Sequence, residues 1–236
     1  GAGRGFGRAI AAALVAAGTD VVGIARNEEE LHAVRAELGD RSIPVAADAT
    51  SEALARDVIR EHRPGLLVLN AGATPHMTPV HEQTWETFSR HWNADTRHVF
   101  TWTRAALREP LTPGSVVVSM SSGAALGGSP LSGGYASAKA AIRYIRGYAA
   151  DEAQRAGLGI RFQTLLPNMT PAGGVGSVAV DGYAARQGLD RKTFVEGREQ
   201  PLLTPEQVAK AVLEVAQDPG SDAEHRVTGT GLHPIS

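Results

Sequence analysis

Short apolar runs alternate along the chain with longer stretches whose apolar residues return every three or four positions, the rhythms of strands and helices respectively. A first helix reads at residues 8–17, a run of good helix formers stopped by Gly18. Strands follow at 21–25, 43–46, 66–69, 115–120 and 160–166. Helices read between them at 28–38, where Leu31, Val34 and Leu38 share a face, and at 51–62, 85–107 and 135–156. Strand followed by helix, repeated, builds a parallel sheet with helices on both faces, the doubly wound, Rossmann-like α/β architecture. Between Asn168 and Glu199 glycine, proline and charge erase the periodicity, and so long a stretch reads as a lid, residues 168–200, over a substrate site. A helix at 205–217 and a short strand at 231–235 end the pattern.

The 236 residues suit one domain spanning 1–236 with a full core. With 42% hydrophobic residues, 20% charged residues and a net charge of −2, the chain is ordinary globular protein and a poor partner for nucleic acid. No run reaches the roughly 20 apolar residues that cross a bilayer, and no secretory pattern opens the chain, so no membrane partner is expected and the cytoplasm is the default address. The absence of cysteine excludes disulfides, thiolate metal sites and a cysteine nucleophile.

Residues 1–7 read Gly-Ala-Gly-Arg-Gly-Phe-Gly, and such glycines let a backbone turn tightly and approach a pyrophosphate at a helix N-terminus. The pattern is G-x-x-x-G-x-G on Gly1, Gly5 and Gly7, not G-x-G-x-x-G. Such a turn follows a strand central to this kind of sheet, so a segment of at least about 5–10 residues is expected ahead of Gly1. Dinucleotide sites that take NAD place an acid at the end of the second strand, whereas Ala25 and Arg26 stand there. An uncharged Ala25, with the guanidinium groups of Arg26 and Arg4, favours a 2′-phosphate and hence NADP(H).

Tyr135 and Lys139 stand four residues apart on one face of a helix, where the ammonium favours the phenolate. A tyrosine so placed delivers a proton to a developing alkoxide, or removes one in the reverse direction. Ser122 lies thirteen residues before Tyr135, after the strand at 115–120, where a hydroxyl polarises the same substrate oxygen; Ser121 is its nearest competitor. No Gly-x-Ser-x-Gly is present to support a hydrolase, and the glycine turn lacks the Gly-Lys-Ser/Thr ending of a P-loop.

With the glycine turn, Arg26 and the Ser122, Tyr135 and Lys139 set in this order, the chain resembles the short-chain dehydrogenase/reductase family over nearly its whole length. The resemblance implies an NADP(H)-dependent enzyme acting on a small-molecule carbonyl or alcohol. It matches Asp48 to the family's adenine-contacting aspartate and Asn70-Ala71-Gly72 to a sheet-stabilising motif. The implied cofactor contacts are Gly1, Arg4, Gly5, Phe6, Gly7, Arg26, Asp48, Ala49, Asn70, Ala71, Gly72, Tyr135, Lys139 and Pro167. In the family the lysine also binds the nicotinamide ribose and, through water, the backbone of a helix asparagine, forming a proton relay.

Two departures stand out. Aligning Phe88 and Phe100 with the family's hydrophobic landmarks puts Asp95 at the relay position, a fourth catalytic residue, while Asn93 faces about 200° away around the helix. Asn168 follows Pro167 where the family commonly has glycine, and Thr170 falls out of register with the threonine that contacts the carboxamide. These departures leave open a second reading, a catalytically silent NADP(H)-binding sensor or regulator.

His91, Asp95 and His98 share a helical face, but their span of about 10.5 Å is long for one ion. No metal is expected, and the face reads as a subunit contact or an active-site rim. Trp85, Trp92 and Trp102 read as packing residues. The resemblance implies a homo-oligomer, dimer or tetramer, joined through the 85–107 and 135–156 helices. Substrate contacts are expected from residues 75–77, 128–131 and the segment beginning at Met169.

Overall fold

A computed structural model describes residues 1–172, 174–198 and 200–235; Gly173 and Glu199, both within the expected lid, and Ser236 lie outside the described residues. Strand β1 (Val21–Ala25) pairs in parallel with β2 (Ser42–Ala46). A second sheet runs β3 (Leu66–Leu69), β4 (Val116–Met120), β5 (Arg161–Pro167), β6 (Glu224–Thr228) and β7 (Gly231–Pro234), parallel except for the last pair. Residues 1–2 run between the two sheets, where the Ala2 N–H donates to the Ile24 carbonyl at 3.1 Å and Asn70 Nδ2 donates to the Gly1 carbonyl at 3.1 Å.

Helices α1 (Gly5–Ala16), α2 (Glu28–Leu38) and α3 (Glu52–His62) follow the expected order, with Asn27 and Ser51 capping the last two. α1 begins three residues before the expected start because the glycine turn itself forms its first turn. It stops where Gly18, at φ +83°, lets the Gly18 and Thr19 N–H groups close back on Val15 and Leu14.

The expected helix at 85–107 is broken into α4 (Trp85–His91), a π-helical turn (Trp92–Thr96) and α5 (Arg97–Arg108). The apolar periodicity continues through the break, so spacing alone does not reveal it. A short α6 (Ala124–Gly127) precedes α7 (Gly133–Arg155). The expected lid carries two helices, α8 (Gly174–Arg186) and α9 (Arg191–Glu196), ahead of α10 (Pro205–Gln217).

β6 was hidden by its charge, reading Glu-His-Arg-Val-Thr. Its Glu224 is buried because Arg143 and Arg146 of α7 meet the carboxylate at 2.6 and 3.2 Å. β4 is buried at every position, as a strand covered on both faces must be. One face packs Ile59, Val99, Trp102, Val117, Ile142 and Phe162 under α3, α5 and α7; the other packs Ile10, Val118, Leu165, Val208 and Val227 under α1 and α10.

Of the three tryptophans, Trp102 is a packing residue whose Nε1 donates to the Ala49 carbonyl at 2.7 Å. Trp85 and Trp92 are instead 76% and 41% exposed, and Trp92 Nε1 donates to the Ser137 hydroxyl of α7 at 3.1 Å.

Candidate active site

The carboxyl ends of β1, β3, β4 and β5 open onto one cleft of about 1570 Å³, larger than the roughly 300–1,000 Å³ of a typical small-ligand pocket. A dinucleotide and a small substrate fit such a space together. The cleft is lined by Gly1, Arg4, Gly5, Phe6, Arg26, Asp48, Ala49, Asn70, Ala71, Gly72, Asp95, Ser122, Tyr135, Lys139 and Pro167, bringing together nearly every residue expected from the sequence. Gly7 is the exception. It is buried behind the turn and does not line the cleft; a Cβ there would fall 1.8 Å from the Gly1 carbonyl oxygen, so the turn packs only with glycine at this position.

At the glycine turn, α1 begins with no side-chain cap and no acid in its first turn, leaving N–H groups and the positive helix end facing the cleft. Gly5 sits at φ +54°, a conformation costly for other residues. A pyrophosphate fits this end. Arg4 and Arg26 stand on the same rim, and Glu30, which the sequence reading did not include, lies against Gly3. Asp48 accepts hydrogen bonds from the Thr50 N–H and hydroxyl, both at 2.9 Å, and these, with Arg26 and Arg97 nearby, hold its carboxyl below the usual range.

The Tyr135 end of the cleft is assembled by α7 packing on α4 and β4. A Cβ on Gly134 would fall 2.1 Å from the Phe88 carbonyl oxygen, so only glycine lets α7 come this close and carry Tyr135 to the cleft. Ser121 is buried with its hydroxyl donating to the Lys139 carbonyl at 2.8 Å, tying β4 to α7. Ser122 Oγ accepts the Ala124 N–H at 3.2 Å, an arrangement that leaves the hydroxyl proton available to a ligand.

Lys139 is buried; its Nζ donates to the Met120 carbonyl at 3.0 Å, lies 3.1 Å from Asp95 Oδ2, and stands 5.6 Å from the centre of the Tyr135 ring. Burial alone would lower the Lys139 pKa, but the Asp95 carboxylate raises it above the ordinary lysine value. Burial likewise works to raise Asp95, yet Lys139, His91 and the Ala73 N–H together hold its pKa down to about 2. The pair is therefore a buried ion pair.

The face of His91, Asp95 and His98 is not exposed as a subunit contact would be: all three side chains are buried, and Asp95 and His98 line the floor of the cleft. Burial, above all, lowers the His98 pKa to about 3, so it stays neutral. Asn93 faces the cleft and is exposed. Asn168 accepts from Arg226 Nε at 2.8 Å, and Thr170 is buried with its hydroxyl donating to the Leu203 carbonyl at 2.6 Å, anchoring the lid.

Of the expected substrate contacts, Pro75, Gly128, Ser129, Pro130 and Met169 line the cleft. His76, Met77 and Leu131 do not; Met77 packs against Gly182 and Leu131 is buried. Val175, Ala179, Tyr183, Gln187, Phe194 and Arg198, all within the segment beginning at Met169, complete the wall, though the sequence did not single them out one by one.

A model of the short chain dehydrogenase family matches residues 1–179. An NADP-dependent 3-hydroxy acid dehydrogenase of Salmonella typhi is 26% identical over 230 residues, covering 93% of this chain and 88% of its own. A short-chain dehydrogenase structure from Streptomyces avermitilis superposes with a TM-score of 0.77 at 27% identity, covering 98% of this chain and 87% of that one. The closed form of serine dehydrogenase complexed with NADP+ shares the fold, with a TM-score of 0.76 at 24% identity over 93% of this chain and 88% of that one.

Proposed function

The chain belongs to the short chain dehydrogenase family, and we propose that it is an NADP(H)-dependent oxidoreductase acting on the carbonyl or alcohol carbon of a small molecule. The observation that carries this reading is a single cleft onto which the glycine turn, Arg26, Ser122, Tyr135 and Lys139 all open. NADPH, when bound, supplies the hydride. The α1 N-terminus and Gly5 hold its pyrophosphate, Asp48 and Ala49 its adenine end, and Lys139 its nicotinamide ribose. Preference for the 2′-phosphate rests on Arg4 and Arg26 outweighing the carboxylates of Glu30 and Asp48 at that end of the cleft. The NADP-dependent relative supports the same preference.

Tyr135 donates its phenolic proton to the substrate oxygen in reduction and takes it back in oxidation. Ser122 polarises that oxygen through its free O–H. Lys139 stabilises the phenolate, and Asp95, standing at the relay position, keeps Lys139 charged and in place.

The segment 168–200 acts as the substrate lid, its α8 tied to the loop before Tyr135 by Tyr183 Oη at 2.6 Å from Ser129 Oγ. The working form is a homo-oligomer, a reading supported by Trp92, Phe100, Tyr144 and Tyr148, all exposed on the faces of the π-turn, α5 and α7.

Titration with NADPH and NADH, followed by a carbonyl-substrate panel, tests the reading. Tyr135→Phe is expected to cut turnover by at least about 100-fold while leaving NADPH affinity intact. Undiminished turnover would remove Tyr135 as proton donor. NADPH binding without turnover across the panel would favour a silent sensor, for which the Asp95 and Asn168 departures are the motive.

A further inference from the structure

We propose that His91 is a positioning residue for this site, acting through the Asp95 carboxylate on Lys139 and through its own ring on Tyr135. The inference rests on the oxidoreductase reading above and adds to it a group outside the cofactor and substrate contacts.

His91 ends α4 where the backbone passes into the π-turn, a kind of irregularity often found at functional sites. Its Nδ1 lies 3.3 Å from Asp95 Oδ1, which also accepts the Ala73 N–H at 2.8 Å. An ionised carboxylate only accepts, so Nδ1 carries the proton. With Oδ1 held from two sides, Oδ2 is left facing Lys139 Nζ at 3.1 Å. Gly72 makes the room: a Cβ there would lie 2.8 Å from Oδ2.

The same imidazole meets Tyr135 edge to face, with centroids 5.2 Å apart and planes at 78°. One ring thus touches both the carboxylate that sets the lysine and the tyrosine itself. His91 is 2% exposed, and its Nε2 is buried with no hydrogen-bond partner among the described residues. A phenyl or aliphatic side chain would fill this space without an unmet polar atom, so packing alone does not account for an imidazole. The titratable groups in contact with His91 are Asp95 on the π-turn and Tyr135 on α7; Lys139 of α7 meets the far oxygen of Asp95, and His98 of α5 faces the same Asp95–Lys139 pair.

The test is a cycle of His91→Phe, Asp95→Asn and the double variant, read by kcat and KM across pH and by the imidazole N–H resonances of protein carrying 15N-histidine. His91→Phe keeps the ring and removes the hydrogen bond. It should lower kcat by about 10- to 100-fold, the scale set by misplacing a reacting group, with the NADPH KM little changed. The loss should be uniform across the assay pH range, since Lys139 and the Ala73 N–H still hold Asp95 ionised there. In the Asp95→Asn background the same change should cost less than about twofold, because the amide still accepts from His91 but the carboxylate that carries its effect to Lys139 is gone. The Nδ1–H resonance, identified by its absence in His91→Phe, should shift upfield in Asp95→Asn.

Equal losses in both backgrounds, or a resonance indifferent to Asp95→Asn, would overturn the proposal and leave the oxidoreductase reading standing. Wild-type protein that turns over nothing would overturn that reading and, with it, any role for His91 in positioning Lys139 and Tyr135 for catalysis.

Discussion

Replacing Asp95 with leucine would strand a buried ammonium, and the size of the penalty follows from the geometry. Lys139 would keep the Met120 carbonyl at 3.0 Å and lose the carboxylate at 3.1 Å, while the Ala73 N–H would lose its acceptor. Breaking a buried pair by removing one partner costs about 3–5 kcal/mol, and each kcal/mol lowers Tm by about 2–4 °C in a domain of this size. Asp95→Leu should therefore unfold about 6–20 °C below wild type. Asp95→Asn keeps an acceptor for Ala73 and His91 and should lose less. Lys139→Met in the Asp95→Leu background removes the stranded charge, and the double variant should recover most of the loss, because a buried pair is worth little against well-packed apolar residues. Thermal and urea unfolding followed by circular dichroism, at one protein concentration throughout, measures all four proteins. An Asp95→Leu midpoint within about 1 °C of wild type, or a double variant no more stable than Asp95→Leu, would show that the two groups are not coupled in a dry site.

Arg26→Ala should weaken NADPH binding by about tenfold, the value of one charge-assisted contact, and leave NADH nearly unaffected in the same fluorescence titration. Gly134→Ala forces a methyl group against the Phe88 carbonyl and should cost about 1–3 kcal/mol in urea unfolding, lowering kcat more than it raises KM because Tyr135 is the next residue. Because burial lowers the His98 pKa from 6.5 to about 3, the unfolded chain binds the extra proton between these values, so stability rises with pH across that window and is lost as the pH drops through it. The His98 contribution has a slope of up to about 1.4 kcal/mol per pH unit; it should be missing in His98→Gln when the two unfolding curves are compared from pH 7 to 4.5.

Periodicity carried the alternation of strands and helices from α1 to β5, because each of those elements buries a face of its own and must repeat apolar residues at its own pitch. Where a strand is buried by pairing its charges, as β6 is through Glu224 with Arg143 and Arg146, the signal vanishes. The lid helices escaped for a related reason: α8, with glycines at 174, 176 and 182, has almost no amphipathic contrast, and it packs on the short α9 and on the loops that carry Met77 and Thr170.

The doubly wound order of the elements and the set of glycines, Arg26, Ser122, Tyr135 and Lys139 were legible along the chain, since they depend on local spacing and residue type. The fold had to be seen before it was clear that Gly7 is packed against Gly1 behind the turn, that a π-turn interrupts the long helix, and that Asp95 forms a buried pair with Lys139 backed by His91. Each of these depends on close approach between segments distant along the chain, where a clearance of a few tenths of an ångström and the exclusion of water decide what a residue does, and neither is written in its neighbours.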